Sequence, residues 1–246
     1  MRVALFATCL IDALFPDAGK ATVQILERLG LHPEFPLEQT CCGQMHTNSG
    51  YFEPTLVERY VHTFEPYDAI VAPSASCVGA IRHQHAMIAR DADDEALAQR
   101  ATQTAAKTFE LSQFLTDVLH TDDVGAYFPH RVTYHPTCHS LRMLKLGDRP
   151  LRLLSNVKGI DLVDLPRSDE CCGFGGTFSI KNPDVSAAML ADKMEAVIGS
   201  GTEVLCAGDR SCLMHIGGGL ERIRAGIRTV HLAEILASTE PDPSRA

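Results

Sequence analysis

Short apolar runs alternate with longer amphipathic segments along most of this chain. Residues 3–6 and 68–72 are brief, mostly apolar runs typical of buried strands, whereas residues 18–29 repeat apolar positions at helical spacing and end before Gly30. By the same criteria the pattern predicts further strands at 32–35, 132–135, 160–165 and 203–207, and further helices at 54–64, 77–90, 94–107, 111–119, 149–156 and 183–198. Strands that alternate with helices predict mainly parallel sheets flanked by helices, which is an α/β fold.

The cysteines repeat along the chain. Eight of the nine form two copies of the arrangement C…CCG…C, with 31 residues between Cys9 and Cys41 and 32 between Cys138 and Cys171. Other residues recur in the same order: 7–9 match 136–138, 72–77 match 207–212, and 107–115 match 228–236. A repeat that extends beyond the cysteines indicates a duplicated fold rather than a chance spacing.

This repeat predicts the domain organisation and sets one cysteine apart. Two homologous units of about 120 residues fit the usual size of a domain. We predict one α/β unit over residues 1–122 and a second over 123–237, each with one metal site, followed by a flexible tail over 238–246. Cys206 falls opposite Val71 of the first unit, at a strand end, and we expect it to be a small buried apolar residue rather than a ligand.

Composition narrows the class of protein. The chain is 45% hydrophobic and 22% charged, which is usual for a soluble globular protein, and its 246 residues bury enough surface to fold without disulfides. No apolar run approaches the length of a membrane span, and the apolar run at the start is too short for a signal peptide. We expect a cytoplasmic protein, in which thiols stay reduced and available to metals. The net charge of −9, with no basic run, argues against nucleic-acid binding.

Each C…CCG…C pattern supplies four thiolates, the donor set that an iron–sulfur cluster or a zinc ion requires. The single cysteines follow predicted strands and the pairs lie in loops, so each quartet is expected to converge beyond the carboxyl ends of its sheet. Gly43 and Gly173 are expected to adopt positive φ and turn the adjacent cysteines toward one centre. The predicted metal ligands are Cys9, Cys41, Cys42 and Cys77 in the first unit and Cys138, Cys171, Cys172 and Cys212 in the second.

Four histidines lie near these cysteines in the sequence, namely His46, His135, His139 and His215. Each could bind a metal or donate a hydrogen bond to a cluster sulfur. The alternative, and the more common role, is an ordinary histidine at a strand end or at the edge of solvent.

Several motifs together carry a family resemblance: Phe6–Leu10, Thr40–Gln44, Pro73–Cys77, Cys171–Ser179 and Ser211–Gly218. With them the chain resembles the cysteine-rich CCG domain family over residues 1–237, and within it the lactate utilization protein A group. The same domain pair resembles the cysteine-rich polypeptide of heterodisulfide reductase and the cysteine-rich half of the glycolate oxidase iron–sulfur polypeptide. The resemblance implies iron–sulfur centres that transfer electrons in a complex with two partner subunits, which oxidises a small 2-hydroxy acid, L-lactate, to pyruvate.

One departure from the reductase pattern changes the expected chemistry. Heterodisulfide reductases close each motif with Cys-x-x-Cys, whereas this chain has Ser74 and Asp209 at the first of those positions. Four thiolates per unit favour [4Fe–4S] clusters, with Asp209 as a candidate oxygen ligand and zinc in one unit as an alternative. The missing thiols argue against a disulfide reductase, and a non-catalytic metal-binding partner protein stays as a third hypothesis.

Overall fold

In the computed structural model, which describes residues 1–240, the chain forms two separate parallel sheets. The first contains three strands and the second four. The strands are β1 (Val3–Leu5), β2 (Ala69–Ala72), β3 (Thr108–Glu110), β4 (Arg131–Tyr134), β5 (Asp161–Val163), β6 (Val204–Ala207) and β7 (Arg228–His231). All pairings between them are parallel, which confirms the predicted fold class.

Helices connect the strands and cover the sheets. They are α1 (Cys9–Leu14), α2 (Pro16–Arg28), α3 (Gln44–Thr47), α4 (Pro54–Phe64), α5 (Ala75–Asp91), α6 (Glu95–Ala106), α7 (Leu111–Gln113), α8 (Arg149–Ser155), α9 (Phe178–Lys181), α10 (Pro183–Gly199), α11 (Arg210–Arg222) and α12 (Leu232–Ala237). Two π-helical segments cover Phe114–Val118 and His139–Met143. Prolines open α2, α4 and α10, where a missing amide hydrogen breaks no helical bond.

The two sheets repeat one topology. The order is β1-β2-β3 in the first and β5-β4-β6-β7 in the second. Glu34 lies parallel to Ala4 on the outer side of β1, the place that β5 takes beside β4. Strands β1, β2 and β3 therefore correspond to β4, β6 and β7, and the predicted duplication is confirmed.

The predicted strand at 32–35 is wrong in extent, because only Glu34 joins the sheet. Its N–H donates to Val3 O at 2.8 Å, and its carbonyl accepts from Leu5 N at the same distance. Pro33 and Pro36 flank it and have no amide hydrogen to continue the ladder. The apolar pattern also misses β3 and β7, since neither strand is a continuous apolar run.

The hydrophobic core crosses the predicted boundary between residues 122 and 123. Ile25 and Leu26 of α2 share one buried cluster with Leu232 and Leu236 of α12. The closing helix of the second half thus packs on the first long helix of the first half, and α7 contacts α8 in the corresponding way. The unit boundaries 1–122 and 123–237 stay predictions, whereas the shared core is observed.

The first residue of the predicted tail is tied to the second half of the chain. The hydroxyl of Ser238 donates to the carbonyl of Tyr127 at 2.7 Å, and the Tyr127 N–H donates to the Ser238 carbonyl at 3.1 Å. Residues 241–246 of that tail lie outside the described residues.

Helix length and composition also determine whether a segment could cross a membrane. Within residues 1–240, no helix combines the length and the apolar character needed to cross a bilayer.

Candidate metal centres

Both cysteine quartets lie beyond the carboxyl ends of the sheets, as predicted. Cys9 begins α1 after β1, and Cys77 lies in the first turn of α5 after β2. In the second half Cys138 precedes the π segment after β4, and Cys212 lies in the first turn of α11 after β6. The fold therefore places all four single cysteines at comparable positions.

The first quartet forms a chain of sulfur contacts. Cys9 Sγ lies 3.6 Å from Cys41 Sγ. The Cys42 thiol interacts with Cys41 on one side and with Cys77 on the other. Cys42 is buried, whereas Cys9 is exposed and Cys41 and Cys77 are partly exposed. The four predicted ligands of the first unit thus come together at the edge of the protein.

The second quartet has the same order of contacts. Cys171 interacts with Cys138 and with Cys172, and Cys172 interacts with Cys212. Cys172 is buried and the other three are partly exposed. The ninth cysteine, Cys206, is completely buried in β6, as predicted.

The glycine of each CCG turn has the predicted backbone conformation. Gly43 has a φ of 82° and Gly173 a φ of 88°. Each amide N–H points back to the first cysteine of its pair, at 3.4 Å from Cys41 Sγ and from Cys171 Sγ. These donors stabilise negative charge on sulfur.

The hydrogen bonds within the quartets polarise the thiols. The pKa of Cys41 is lowered because the thiols of Cys42 and Cys9 donate to its sulfur, and the pKa of Cys171 is lowered in the same way by Cys138 and Cys172. The pKa of Cys42 is raised, first by its contact with Cys41. Thiols that share protons at contact distance can exchange those protons for a cation, so the quartets suit metal binding.

The predicted histidines differ in their surroundings. His46 is exposed, and His139 and His215 are partly exposed. His135 is completely buried, and neither ring nitrogen has a hydrogen-bond partner among residues 1–240. A ligating nitrogen of His135 and the sulfurs of Cys172 and Cys212 lie within 4.8 Å of one another. Burial lowers the pKa of His135 to about 4, which keeps the ring neutral.

Asp209 is directed to hydroxyl and amide donors rather than to the sulfurs. One carboxylate oxygen accepts from Ser74 Oγ at 2.8 Å, from Ser76 N at 3.0 Å and from Ser76 Oγ at 2.9 Å. The other accepts from Thr137 Oγ1 at 2.5 Å. The expectation of Asp209 as an oxygen ligand therefore gives way to a structural role. The carboxylate connects the turn before Cys77 to the residue before Cys138, a link that the sequence did not reveal.

The loops that follow the two CCG turns are in contact with each other. The loop after the first CCG turn touches the loop after the second, since Ser49 Oγ contacts Thr177 Oγ1 and the ammonium of Lys181 lies 5.5 Å from the ring centre of Tyr51. A cavity of about 180 Å³ adjoins the first quartet. Its far wall comes from the second half, through Phe174, Arg210 and Met214 among others.

Two parallel α/β units, each with a C…CCG…C quartet beyond the sheet edge, define a tandem cysteine-rich protein of metal-binding type. The model of the cysteine-rich domain named CCG matches residues 3–82 and again residues 132–217. Both matches contain a complete quartet, and they reproduce the duplication seen in the two sheets. The chain belongs to the CCG cysteine-rich domain family.

Relatives match over nearly the whole chain. A lactate utilization protein A of Exiguobacterium sp. is 50% identical over 239 residues, which cover 96% of this chain and 96% of the relative. The protein of the same name from Oceanobacillus iheyensis is 46% identical over 238 residues, with the same coverage of both chains. That of Geobacillus sp. is 45% identical over 240 residues and is covered completely.

Proposed function

We propose that this chain is an electron-transfer protein of L-lactate utilization that binds one iron–sulfur cluster in each cysteine quartet. The observation that carries the proposal is the pair of sulfur quartets, whose neighbouring residues are joined through Asp209. The names of the full-length relatives support the link to lactate. The proposed ligands are Cys9, Cys41, Cys42 and Cys77 for the first cluster and Cys138, Cys171, Cys172 and Cys212 for the second.

The protein groups around the sulfurs suit this role. When bound, an iron–sulfur cluster supplies a centre that accepts and returns single electrons. The amides of Gly43 and Gly173 donate to ligand sulfurs and stabilise the added negative charge. The buried Cys42 and Cys172 anchor each quartet on its inner side, where water is excluded. Asp209 holds the turn before Cys77 and the residue before Cys138 in a fixed relation, which keeps the distance between the two centres constant.

The carbon chemistry is proposed to occur on partner subunits. A carboxylate substrate such as lactate is best held by a cationic side chain in its pocket. Among the residues that line the cavity of the first site, Arg210 is the one Lys or Arg, and its guanidinium lies 3.3 Å from Glu234. Because this cation already has a carboxylate partner, the cavity is a poor binding site for a 2-hydroxy acid. We therefore propose that two partner subunits handle the substrate and pass electrons to this chain.

Zinc is the second candidate, and one distance favours it. Sulfurs that share one tetrahedral zinc ion, with Zn–S bonds of about 2.3 Å, lie about 3.8 Å apart. The 3.6 Å between Cys9 Sγ and Cys41 Sγ is close to that value. Sulfurs bound to separate irons of a cubane cluster lie farther apart, so cluster binding would spread the first quartet toward its cavity. The disulfide reductase alternative lacks support, because Ser74 and Asp209 replace the additional thiols.

Metal analysis of protein purified without oxygen tests the proposal. We expect about eight irons and eight sulfides per chain, and a centre that titrates between about −700 and +450 mV. Zinc without iron would refute the electron-transfer role and favour the non-catalytic metal-binding protein.

Three alanine variants locate the centres. Cys9→Ala and Cys138→Ala should each remove about half of the iron, because each deletes one ligand of one quartet. Cys206→Ala is the matched control, since this cysteine is buried in β6 and packs in a hydrophobic cluster that contains none of the quartet cysteines, and it should retain the full iron content. Full iron in both ligand variants would show that the ligand assignment is wrong.

A further inference from the structure

The buried side chain of His135 lacks the hydrogen bonds that the other buried histidines have. His231 accepts from Ala233 N at 3.1 Å and contacts Pro73 O at 3.1 Å. His85 contacts Cys42 O at 2.9 Å. His135 is equally buried, yet both of its nitrogens have no partner within residues 1–240. A polar ring buried without partners is costly unless another group binds it.

The position of the ring indicates what that group is. A nitrogen of His135 lies within 4.8 Å of Cys172 Sγ and Cys212 Sγ, and those two sulfurs lie within the same distance of each other. Imidazole nitrogen and thiolate sulfur together form a common donor set for zinc and iron. The backbone fixes the position of the residue, because the N–H of His135 donates to Cys206 O at 2.8 Å.

The first site has no such donor at the corresponding position. Phe6 follows β1 as His135 follows β4, and its N–H donates to Val71 O at 2.9 Å, the counterpart of the bond from His135 to Cys206. The Phe6 ring packs edge-on against Tyr60 and Phe64, with ring centres 5.3 Å away in both cases. The same point of the fold is therefore apolar in the first site and offers a nitrogen in the second.

We infer that His135 is a nitrogen ligand of the metal centre in the second site, so that the two centres have different donor sets. This inference rests on the metal binding proposed above. At the first centre Phe6 takes the position of His135, and the proposed ligands are the thiolates of Cys9, Cys41, Cys42 and Cys77. In the second centre, His135 takes the place of one of the four thiolates and binds beside Cys172 and Cys212. A neutral imidazole in place of an anionic thiolate raises the reduction potential of an iron–sulfur centre. The second centre should therefore be reduced before the first.

Nitrogen hyperfine spectroscopy of the complete chain tests the inference without any variant. Protein labelled with ¹⁵N-histidine is purified without oxygen, reduced stepwise and measured by pulsed electron paramagnetic resonance. We expect a strong ¹⁵N coupling on the signal of the centre that is reduced first. If iron is present in both sites and no histidine coupling is seen, the inference fails while the proposed function stands. A chain without metal would overturn both.

Two matched variants assign the coupling to a residue. His135→Phe places in the second site the residue that the first site already has, and should remove the coupling and lower the potential of that centre. His139→Phe removes a partly exposed histidine next to Cys138, and should leave both unchanged. A coupling that survives in His135→Phe would refute the assignment. Where the second site holds zinc, X-ray absorption spectroscopy at the zinc edge detects whether a nitrogen atom is bound to the metal. Coordination by sulfur alone in the unmodified protein would overturn the inference.

Discussion

Replacing Asp209 with alanine should destabilise both halves of the chain, because the carboxylate bonds to donors on each side. It is 1% exposed and accepts from Ser74, from the amide and hydroxyl of Ser76, and from Thr137. Alanine removes the acceptor and leaves these donors inside the protein. The perturbation therefore acts on the contact between the two cysteine sites rather than on either quartet.

The size of the effect follows from the number of bonds and their alternatives. A hydrogen bond to a charged group contributes about 1.5–3 kcal/mol, and an unpaired buried donor costs about 1–3 kcal/mol. Two of the four donors keep an acceptor, because one of the Ser74 and Ser76 hydroxyls, 3.2 Å apart, can donate to the other and Thr137 Oγ1 lies 3.0 Å from Ser140 Oγ. The amide of Ser76 and the other serine hydroxyl lose their side-chain acceptor. We therefore expect a loss of about 3–5 kcal/mol in the free energy of unfolding, below the simple sum of the bonds.

Urea unfolding of the metal-loaded protein measures this loss, with metal content determined on the same samples. Asp161→Ala is the control, because Asp161 is an exposed carboxylate that pairs with Arg131 at 3.2 Å, and it should cost less than about 1 kcal/mol. A loss below about 1 kcal/mol for Asp209→Ala, accompanied by loss of metal from the second site, would refute the structural role. That pair of results would identify Asp209 as a ligand instead.

Two further predictions concern buried groups near the sites. Burial raises the pKa of Glu110 from 4.5 to about 7. Its contribution to the free energy of unfolding is therefore fully present below about pH 4.5 and is lost as the pH rises through 7. The free energy of unfolding should therefore drop by about 3 kcal/mol less between pH 5 and pH 8 in Glu110→Gln than in the unmodified protein. An equal drop in both proteins would contradict the raised pKa of Glu110. Gly173→Ala should destabilise the protein more than Gly43→Ala in thermal unfolding, because a Cβ at Gly173 would lie 2.6 Å from Ser186 O, whereas at Gly43 the nearest atom is 3.5 Å away. Equal losses of stability in the two variants would mean that the positive φ common to both glycines, and not the contact with Ser186, accounts for the destabilisation.

Much of the local structure could be predicted because its signals lie close together in the sequence. Prolines mark the starts of α4 and α10, and short apolar runs mark β1, β2 and β6. The predicted strand at 32–35 contracts to the single paired residue Glu34, because the prolines on either side of it cannot donate to a ladder. Strands β3 and β7 are three and four residues long and contain polar residues, so they are too short to show a periodic apolar pattern.

The candidate site was predictable only where its signals are local. The sequence identified the two cysteine quartets and the positive φ of Gly43 and Gly173, because the repeat and the CCG turn are local patterns. The sequence identified His135 as one of four candidate histidines but could not show which of the four lies buried beside the cysteines. Burial without a partner depends on how β4 packs against the helices of its own half, and no spacing along the chain encodes that.

The sequence by itself determined the duplicated α/β design, the positions of eight thiols and the residues that turn them inward, since these depend on order and spacing. Only the tertiary structure decided how the halves combine. Asp209 reaches Ser74 across 135 positions of the chain, and α12 packs on α2 from the opposite end. Such contacts form only when the folded surfaces of the two halves pack together. Chains with the same pattern of strands and helices could pack their halves in different ways. The chemical difference between the sites, Phe6 against His135, becomes visible only once both are placed at the same point of the fold.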